Sequence, residues 1–329
     1  MREHKRSDLL TKVTAYTPDF NHESVLFYDF LDLITLNRDD LKEGLQIYLG
    51  SGCSGKYPKD NVGLMQGGGG NGKTVLVEAV AHALGDYAGT LDIKYLTTQD
   101  KFTGTSGHTD DIATTSGKRL CVSVESQEGK NFHEGNIKKF TGGDGIPVSF
   151  KHGHTFTMHP AFTLVILTNH KPKVTGRDTG IWRRLKYFPF EHSIPDDKKD
   201  LDFKAKMLQV DGACIMAWLI DGCKKWYKNG YGSFETIEQA TAQYKANEDV
   251  LGNFINECCK VDPGFSVQAN LLRTEFEKWC NENGEHIFSG RAWRQTLEER
   301  GFTRKHGMYG KTWKGLTLIS EVEAESIPF

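Results

Sequence analysis

The sequence predicts an α/β fold, a mainly parallel sheet preceded by helices and followed by a smaller unit of two helices and a hairpin. Three observations predict it. Short apolar runs at 62–66, 120–124, 162–167 and 185–190 alternate with helical patterns such as 74–84 and 131–140. Strands separated by helices pair in parallel and bury both faces. A glycine-rich stretch links the first apolar run to the first of those helices. Beyond residue 267 the order becomes helix, helix and two strand-like runs around Gly307 and Gly310, the outline of a winged-helix module.

Residues 1–60 form an N-terminal helical region, with apolar residues at helical spacing over 25–36 and 41–49 and Asp39-Asp40 near a helix start. The α/β core occupies 61–195. A helical region follows at 196–262, carrying amphipathic patterns over 213–228 and 237–258. Asp262-Pro263-Gly264 marks a linker near 260–266. The winged-helix-like unit spans 263–320, and residues 321–329 are an acidic tail, mobile or a partner peptide.

Composition narrows the function classes. With 41 Lys and Arg against 43 Asp and Glu, the net charge is −2, so any contact with nucleic acid must come from local patches. The seven cysteines include no CxxC pair, which argues against a disulfide framework and a zinc site. No stretch approaches the roughly 20 apolar residues of a membrane span, and no apolar leader follows Met1. A soluble protein in the cytoplasm of its host cell, taken to be bacterial, is the expectation.

The chemistry starts at Gly67-Gly68-Gly69-Gly70-Asn71-Gly72-Lys73-Thr74, which fits G-x-x-x-x-G-K-[ST] between a strand and a helix. Glycines let successive backbone N–H groups turn inward on phosphate oxygens, and the helix N-terminus adds positive potential. Lys73 is expected to reach the β- and γ-phosphates of ATP, and the Thr74 hydroxyl to ligate Mg²⁺. The run 120–124 stops at Glu125, a carboxylate able to polarise the attacking water or help hold Mg²⁺. Val124 stands where many P-loop ATPases carry an additional Asp, which leaves the division of those roles open, with Glu128 nearby in reserve. The run 162–167 ends at Thr168-Asn169. An amide there can orient water toward the γ-phosphate, or simply begin a turn.

Further motifs follow in order: Lys138-Lys139-Phe140-Thr141-Gly142-Gly143-Asp144, then Gly180-Ile181-Trp182-Arg183-Arg184-Leu185 with Phe188-Pro189-Phe190. With the glycine loop, Glu125 and Thr168-Asn169, this series resembles the superfamily-three helicases, specifically the helicase part of phage, plasmid and poxvirus primase-helicases. The resemblance implies an AAA+-like core assembled as a homo-oligomeric ring, commonly a hexamer, that hydrolyses ATP between subunits and moves along one DNA strand. By position it makes Asn169 the sensor asparagine. It makes Arg184, with Arg183 as the close alternative, the arginine that stabilises a neighbour's transition state.

Residues 146–158 alternate in part and turn at Lys151-His152-Gly153-His154, the pattern of a β-hairpin. In the resembled family such a hairpin grips DNA in the ring channel, which would place Lys151 on phosphate and His152 or His154 on sugar or base. In the C-terminal unit, 287–316 holds seven Lys and Arg against two acids. Arg291 and Arg294 share one helical face, and Arg304 and Lys305 lie on the wing, among Trp293, Tyr309 and Trp313. Such a helix and basic wing suit duplex or fork DNA.

The leading expectation is an ATP-dependent replicative DNA helicase of a phage, plasmid or mobile element. The alternatives are a small-molecule kinase with the same loop, and an initiator or helicase loader that uses ATP as a switch without unwinding. No carboxylate cluster or zinc-ligand spacing of a primase is visible, so a primase is expected elsewhere in a longer polypeptide or as a separate chain.

Overall fold

A computed structural model describes residues 5–56, 61–98, 109–125, 128–174, 180–307 and 310–320. The chain divides into two compact units, 1–242 and 243–329.

In the first unit, α1 (Phe27–Thr35) and α2 (Asp39–Ser51) lead to β1 (Val62–Gln66), α3 (Lys73–Leu84) and β2 (Ala88–Thr90). After them come α4 (Asp110–Ala113), β3 (Leu120–Glu125), α5 (Glu134–Thr141) and the strands β4 (Ile146–Ser149) and β5 (Thr155–Met158). The unit continues through β6 (Thr163–Thr168), α6 (Gly180–Arg184), β7 (Leu185–Pro189) and the long α7 (Phe203–Asn229); α8 (Glu235–Asn247) carries the chain past residue 242. Five strands form one sheet in the order β2-β3-β6-β1-β7, and every pairing in it is parallel. The sequence explains this: all six residues of β6 are buried, as a strand covered by helices on both faces requires. β4 and β5 pair antiparallel by themselves.

The N-terminal helices share the core of the sheet. Phe27 and Ile34 of α1 and Leu45 and Leu49 of α2 belong to one buried cluster with Val80 of α3, Leu167 of β6, Phe188 of β7 and Leu219 of α7. A single carboxylate fixes the start of α1. Asp211, on α7 and fully buried, accepts the N–H groups of Val25 at 2.9 Å, Leu26 at 2.6 Å and Phe27 at 2.8 Å. His22 Nε2 at 2.9 Å and Ser24 Oγ at 3.3 Å complete its ring of partners. Leu26, at the N-cap, has no capping side chain, so Asp211 supplies the cap from 184 residues away and satisfies the first orphan donor of α1, while Ser24 Oγ accepts the next, the Tyr28 N–H, at 3.1 Å.

The second unit runs α9 (Val250–Cys258), β8 (Cys259–Gln268), α10 (Ala269–Asn283), α11 (Gly290–Glu299), β9 (Thr303–Gly307) and β10 (Gly310–Leu318). Its antiparallel sheet has the order β8-β10-β9. The core is aromatic: Phe254, Phe276 and Trp293 meet ring to ring, and Trp313 is buried.

Two expectations change. The helical pattern over 237–258 is broken near Asp249, whose side chain accepts the Gly252 N–H at 3.0 Å and starts α9 as a separate helix. Residues 260–266, which read as a linker, lie inside β8. Their turn chemistry survives as a bulge: the Gly264 N–H donates to Asp262 Oδ1 at 2.8 Å, and the pairing shifts between Leu316↔Val261 and Lys314↔Ser266. Among the described residues no helix is long and apolar enough to cross a membrane.

Candidate functional site

The parallel register brings three strand ends level. Gln66 of β1 and Glu125 of β3 both pair with Thr168 of β6. Ligands of open α/β sheets bind beyond such carboxyl ends, and here the chain turns from β1 through the glycines directly into α3.

The loop needs its glycines. Gly69, Gly70 and Gly72 have φ of 101°, 62° and 78°, left-handed values that side-chain-bearing residues rarely adopt. At Gly72 a Cβ would also meet Ile34 Cγ2 of α1 at 2.4 Å, so α1 backs directly onto the loop. A Cβ on Gly68 or Gly69 would meet nothing within 4 Å, so that side of the loop stays open for a ligand. Asn71 is buried, and its Nδ2 donates to the Phe190 carbonyl at 3.2 Å, pinning the loop to the end of β7.

Lys73, the first residue of α3, is buried. Its Nζ donates to the Gly67 carbonyl at 3.0 Å, Asn71 Oδ1 at 3.4 Å and Asn169 Oδ1 at 2.7 Å. All three acceptors are neutral, and burial holds the ammonium below the ordinary lysine pKa. A buried cation without a counter-charge is costly. At a helix N-terminus beside an open glycine loop, the group that fits it is an anion such as a phosphate. Asn169, expected at a strand tip, is thus brought onto Lys73. Glu125 is buried at the end of β3, and Thr74 is exposed one residue beyond Lys73. Glu128 is exposed, its Oε1 3.9 Å from His170 Nδ1. Among the described residues no group of three or more His, Cys, Asp and Glu gathers to hold a metal.

Sequence reasoning missed two contributors. Gln66 Nε2 donates to the Asn169 carbonyl at 2.8 Å, and the Tyr187 hydroxyl donates to Gln66 Oε1 at 2.7 Å. A polar residue closing the buried run 62–66 was the available signal for Gln66; nothing in the local pattern pointed to Tyr187.

The two arginines differ. Arg184 is buried, and its Nη1 donates to the Gly180 carbonyl at 2.9 Å within α6. Arg183 beside it is exposed. The hairpin forms as expected, and Lys151, His152, Gly153 and His154 are exposed at its tip. The tip is itself tied to α4, where Asp110 Oδ1 accepts the Lys151 N–H at 3.0 Å. His152 takes φ 63° in the turn.

In the second unit Arg291, Arg294 and Lys305 are exposed, although Arg294 is paired with Glu298 at 2.8 Å. Arg304 lies half-buried over the Trp313 ring, 5.9 Å from its centroid. Trp293 and Trp313 are core residues rather than part of the basic surface; Tyr309 lies outside the described residues.

Residues 65–184, which enclose the loop, Glu125, Asn169 and both arginines, match the profile of a family of unknown function (DUF5906). The chain is 27% identical over 264 residues to "Putative helicase L207/L206" of Acanthamoeba polyphaga mimivirus, covering 74% of this chain and 27% of that protein. It is 25% identical over 240 residues to "Putative primase C962R" of African swine fever virus, covering 67% of this chain and 25% of that protein. The chain therefore spans about a quarter of the length of these curated relatives. Among solved structures, the C-terminal region of NrS-1 in its apo form shares the fold, with TM-score 0.51 and 10% identity over 91% of this chain and 78% of that one.

Proposed function

We propose that this chain is an ATP-dependent DNA helicase module acting in replication of a virus, phage, plasmid or other mobile element, and that it works as a homo-oligomeric ring, commonly a hexamer. The observation that carries the reading is Lys73, a buried ammonium whose acceptors among the described residues are all neutral oxygens, behind an open glycine loop. The triphosphate of ATP supplies the missing negative charge, cradled by the N–H groups of the loop Gly67 to Thr74. The Thr74 hydroxyl and the Glu125 carboxylate are the residues that would hold Mg²⁺, which neutralises phosphate charge and takes most of its remaining shell from phosphate and water. Glu125 also has the chemistry to polarise the attacking water. Asn169 is suited to the γ-phosphate. With its Oδ1 turned to Lys73, its amide presents two N–H donors outward.

The relatives' names support a replication role. Because the matched region makes up only about a quarter of those proteins, a primase, fused or separate, is the partner proposed. The exposed hairpin tip, with Lys151, His152 and His154, is proposed to contact a single strand. The winged-helix-like second unit, through Arg291, Arg294, Arg304 and Lys305, is proposed to contact duplex or fork DNA.

For the arginine acting in trans, exposure favours Arg183 over Arg184, since a buried side chain cannot reach a neighbouring subunit. Mixing Arg183→Ala subunits with wild type is expected to depress ATP turnover faster than dilution alone. A loss strictly linear in the mutant fraction would remove catalysis in trans.

The test of the function is ATP turnover with and without single-stranded DNA, run beside strand displacement on 3′- and 5′-tailed forks with ATP and Mg²⁺. DNA-stimulated turnover with displacement is the expected result. Absence of turnover sinks the motor, and turnover without displacement moves the chain to the initiator or loader class.

A further inference from the structure

A chain of hydrogen bonds runs from β7 to the loop lysine, and its polarity is fixed at every link. The Asn169 backbone carbonyl can only accept, so the Gln66 atom 2.8 Å away must be the amide nitrogen. That turns Gln66 Oε1, an acceptor, to the Tyr187 hydroxyl at 2.7 Å, and the phenol must donate. Burial, reinforced by the Glu191 charge, pushes the Tyr187 pKa up to about 12, so the donor proton is present throughout the neutral range. At the other end Lys73 has only donors, so Asn169 Oδ1 faces it at 2.7 Å. The strand carrying Tyr187 is itself pinned, its backbone N–H donating to Thr241 Oγ1 at 3.1 Å. Asn169 is exposed at the tip of β6, where a side chain amide would otherwise sample several rotamers.

Resting on the assignment of Lys73 and Asn169 to the γ-phosphate, we propose that Gln66 and Tyr187 are positioning residues for the hydrolysis step. Neither touches the nucleotide. Gln66 clamps the backbone of Asn169, and the Tyr187 hydroxyl fixes the Gln66 amide in the orientation that permits the clamp. The Asn169 N–H donors are thereby held at the place where γ-phosphate charge or the attacking water must be met, and the Lys73–Asn169 contact is kept in register. Loss of the clamp leaves the loop and its phosphate contacts intact but lets the sensor amide wander. It therefore slows the chemical step rather than binding.

The sharpest probe is Tyr187→Phe, which keeps the buried ring and deletes one O–H. Its kcat for ATP is expected to fall about tenfold with KM nearly unchanged, as for loss of an outer partner that orients a functional group. Gln66→Glu should reproduce the loss, because a carboxylate accepts from the phenol but cannot donate to the Asn169 carbonyl. In an Asn169→Ala background, Tyr187→Phe should add nothing further, an outcome that simple destabilisation would not give. Unchanged kcat in Tyr187→Phe overturns the proposal, as does a loss that multiplies fully with that of Asn169→Ala. Wild-type turnover abolished by Lys73→Ala establishes the nucleotide site independently, so an inert Tyr187→Phe against that background refutes the clamp alone. A wild type without turnover refutes both.

Discussion

Replacing Lys73 with alanine is expected to lower ATP turnover by at least about a hundredfold, the scale on which loss of one preorganised charge-stabilising donor acts. The ammonium sits where α3 begins, and its three partners are backbone and amide oxygens that cannot neutralise it. In the absence of ligand this is an unfavourable arrangement, since burial lowers the lysine pKa. The folded state holds its Lys73 proton less tightly than the unfolded chain, so a stability cost is present at neutral pH and is relieved as pH rises through the folded value toward the ordinary lysine pKa. An uncharged side chain of similar length removes that cost. Lys73→Met is therefore expected to melt no lower than wild type, within the about 1 kcal/mol of a lost hydrogen bond, while turnover is lost. Nucleotide should raise the wild-type Tm and leave that of Lys73→Met unmoved. A Lys73→Met protein that melts far below wild type would make the lysine structural, and retained turnover would remove the loop from the chemistry.

The second large effect is on stability. Asp211→Ala is expected to cost the first unit about 3–5 kcal/mol, the usual scale for removing one member of a buried, hydrogen-bonded charge network. The carboxylate serves three backbone donors at the start of α1, together with His22 and Ser24, and no side chain of α1 can replace it. Burial by itself would raise its pKa, but the N–H groups of Val25 and Leu26, His22 and the Phe27 N–H outweigh burial and hold it below the ordinary carboxylate value. A depressed folded pKa gives stability that is present above the unfolded pKa of about 4 and lost as pH falls through the folded value. Urea unfolding of wild type and Asp211→Ala should thus differ most at neutral pH and converge in acid; a gap independent of pH would refute the electrostatic account. Because Ile34 of α1 backs onto Gly72, the same substitution is expected to loosen the wall behind the glycine loop.

The strands were largely legible because each carries its cause in its own residues. The run expected at 62–66 is β1, and those at 120–124, 162–167 and 185–190 fall within a residue of β3, β6 and β7. Residues buried on both faces must be continuously apolar, and that pattern is local. β2 was invisible for the opposite reason. Ala88 and Gly89 are half-buried, Thr90 is exposed, and the three carry no pattern; they form a strand only because β3 pairs with them. The same holds for β8, where Asp262-Pro263-Gly264 keeps its turn chemistry as a bulge while the residues on either side pair with β10. Helix α9 was missed as a separate element although Asp249 announced it, because the apolar period continues across the break.

The site divides along the same line. By itself the sequence determined the glycine loop, its lysine, the acid at one strand end and the amide at another, since each motif needs particular residue types at short spacing and little else. Tertiary structure alone decided how these groups meet. The parallel register sets Gln66, Glu125 and Thr168 level, and Asn169 closes on Lys73 from 96 positions away. Arg184 turns inward while Arg183 faces out, although two adjacent arginines are equivalent as letters. Tyr187 reaches the site through Gln66, 121 positions distant, and Asp211 caps a helix 184 residues before it. Short-range sequence patterns encode propensity and solvation. Which polar groups find each other across a packed sheet depends on strand register and burial, and these exist only once the chain has folded.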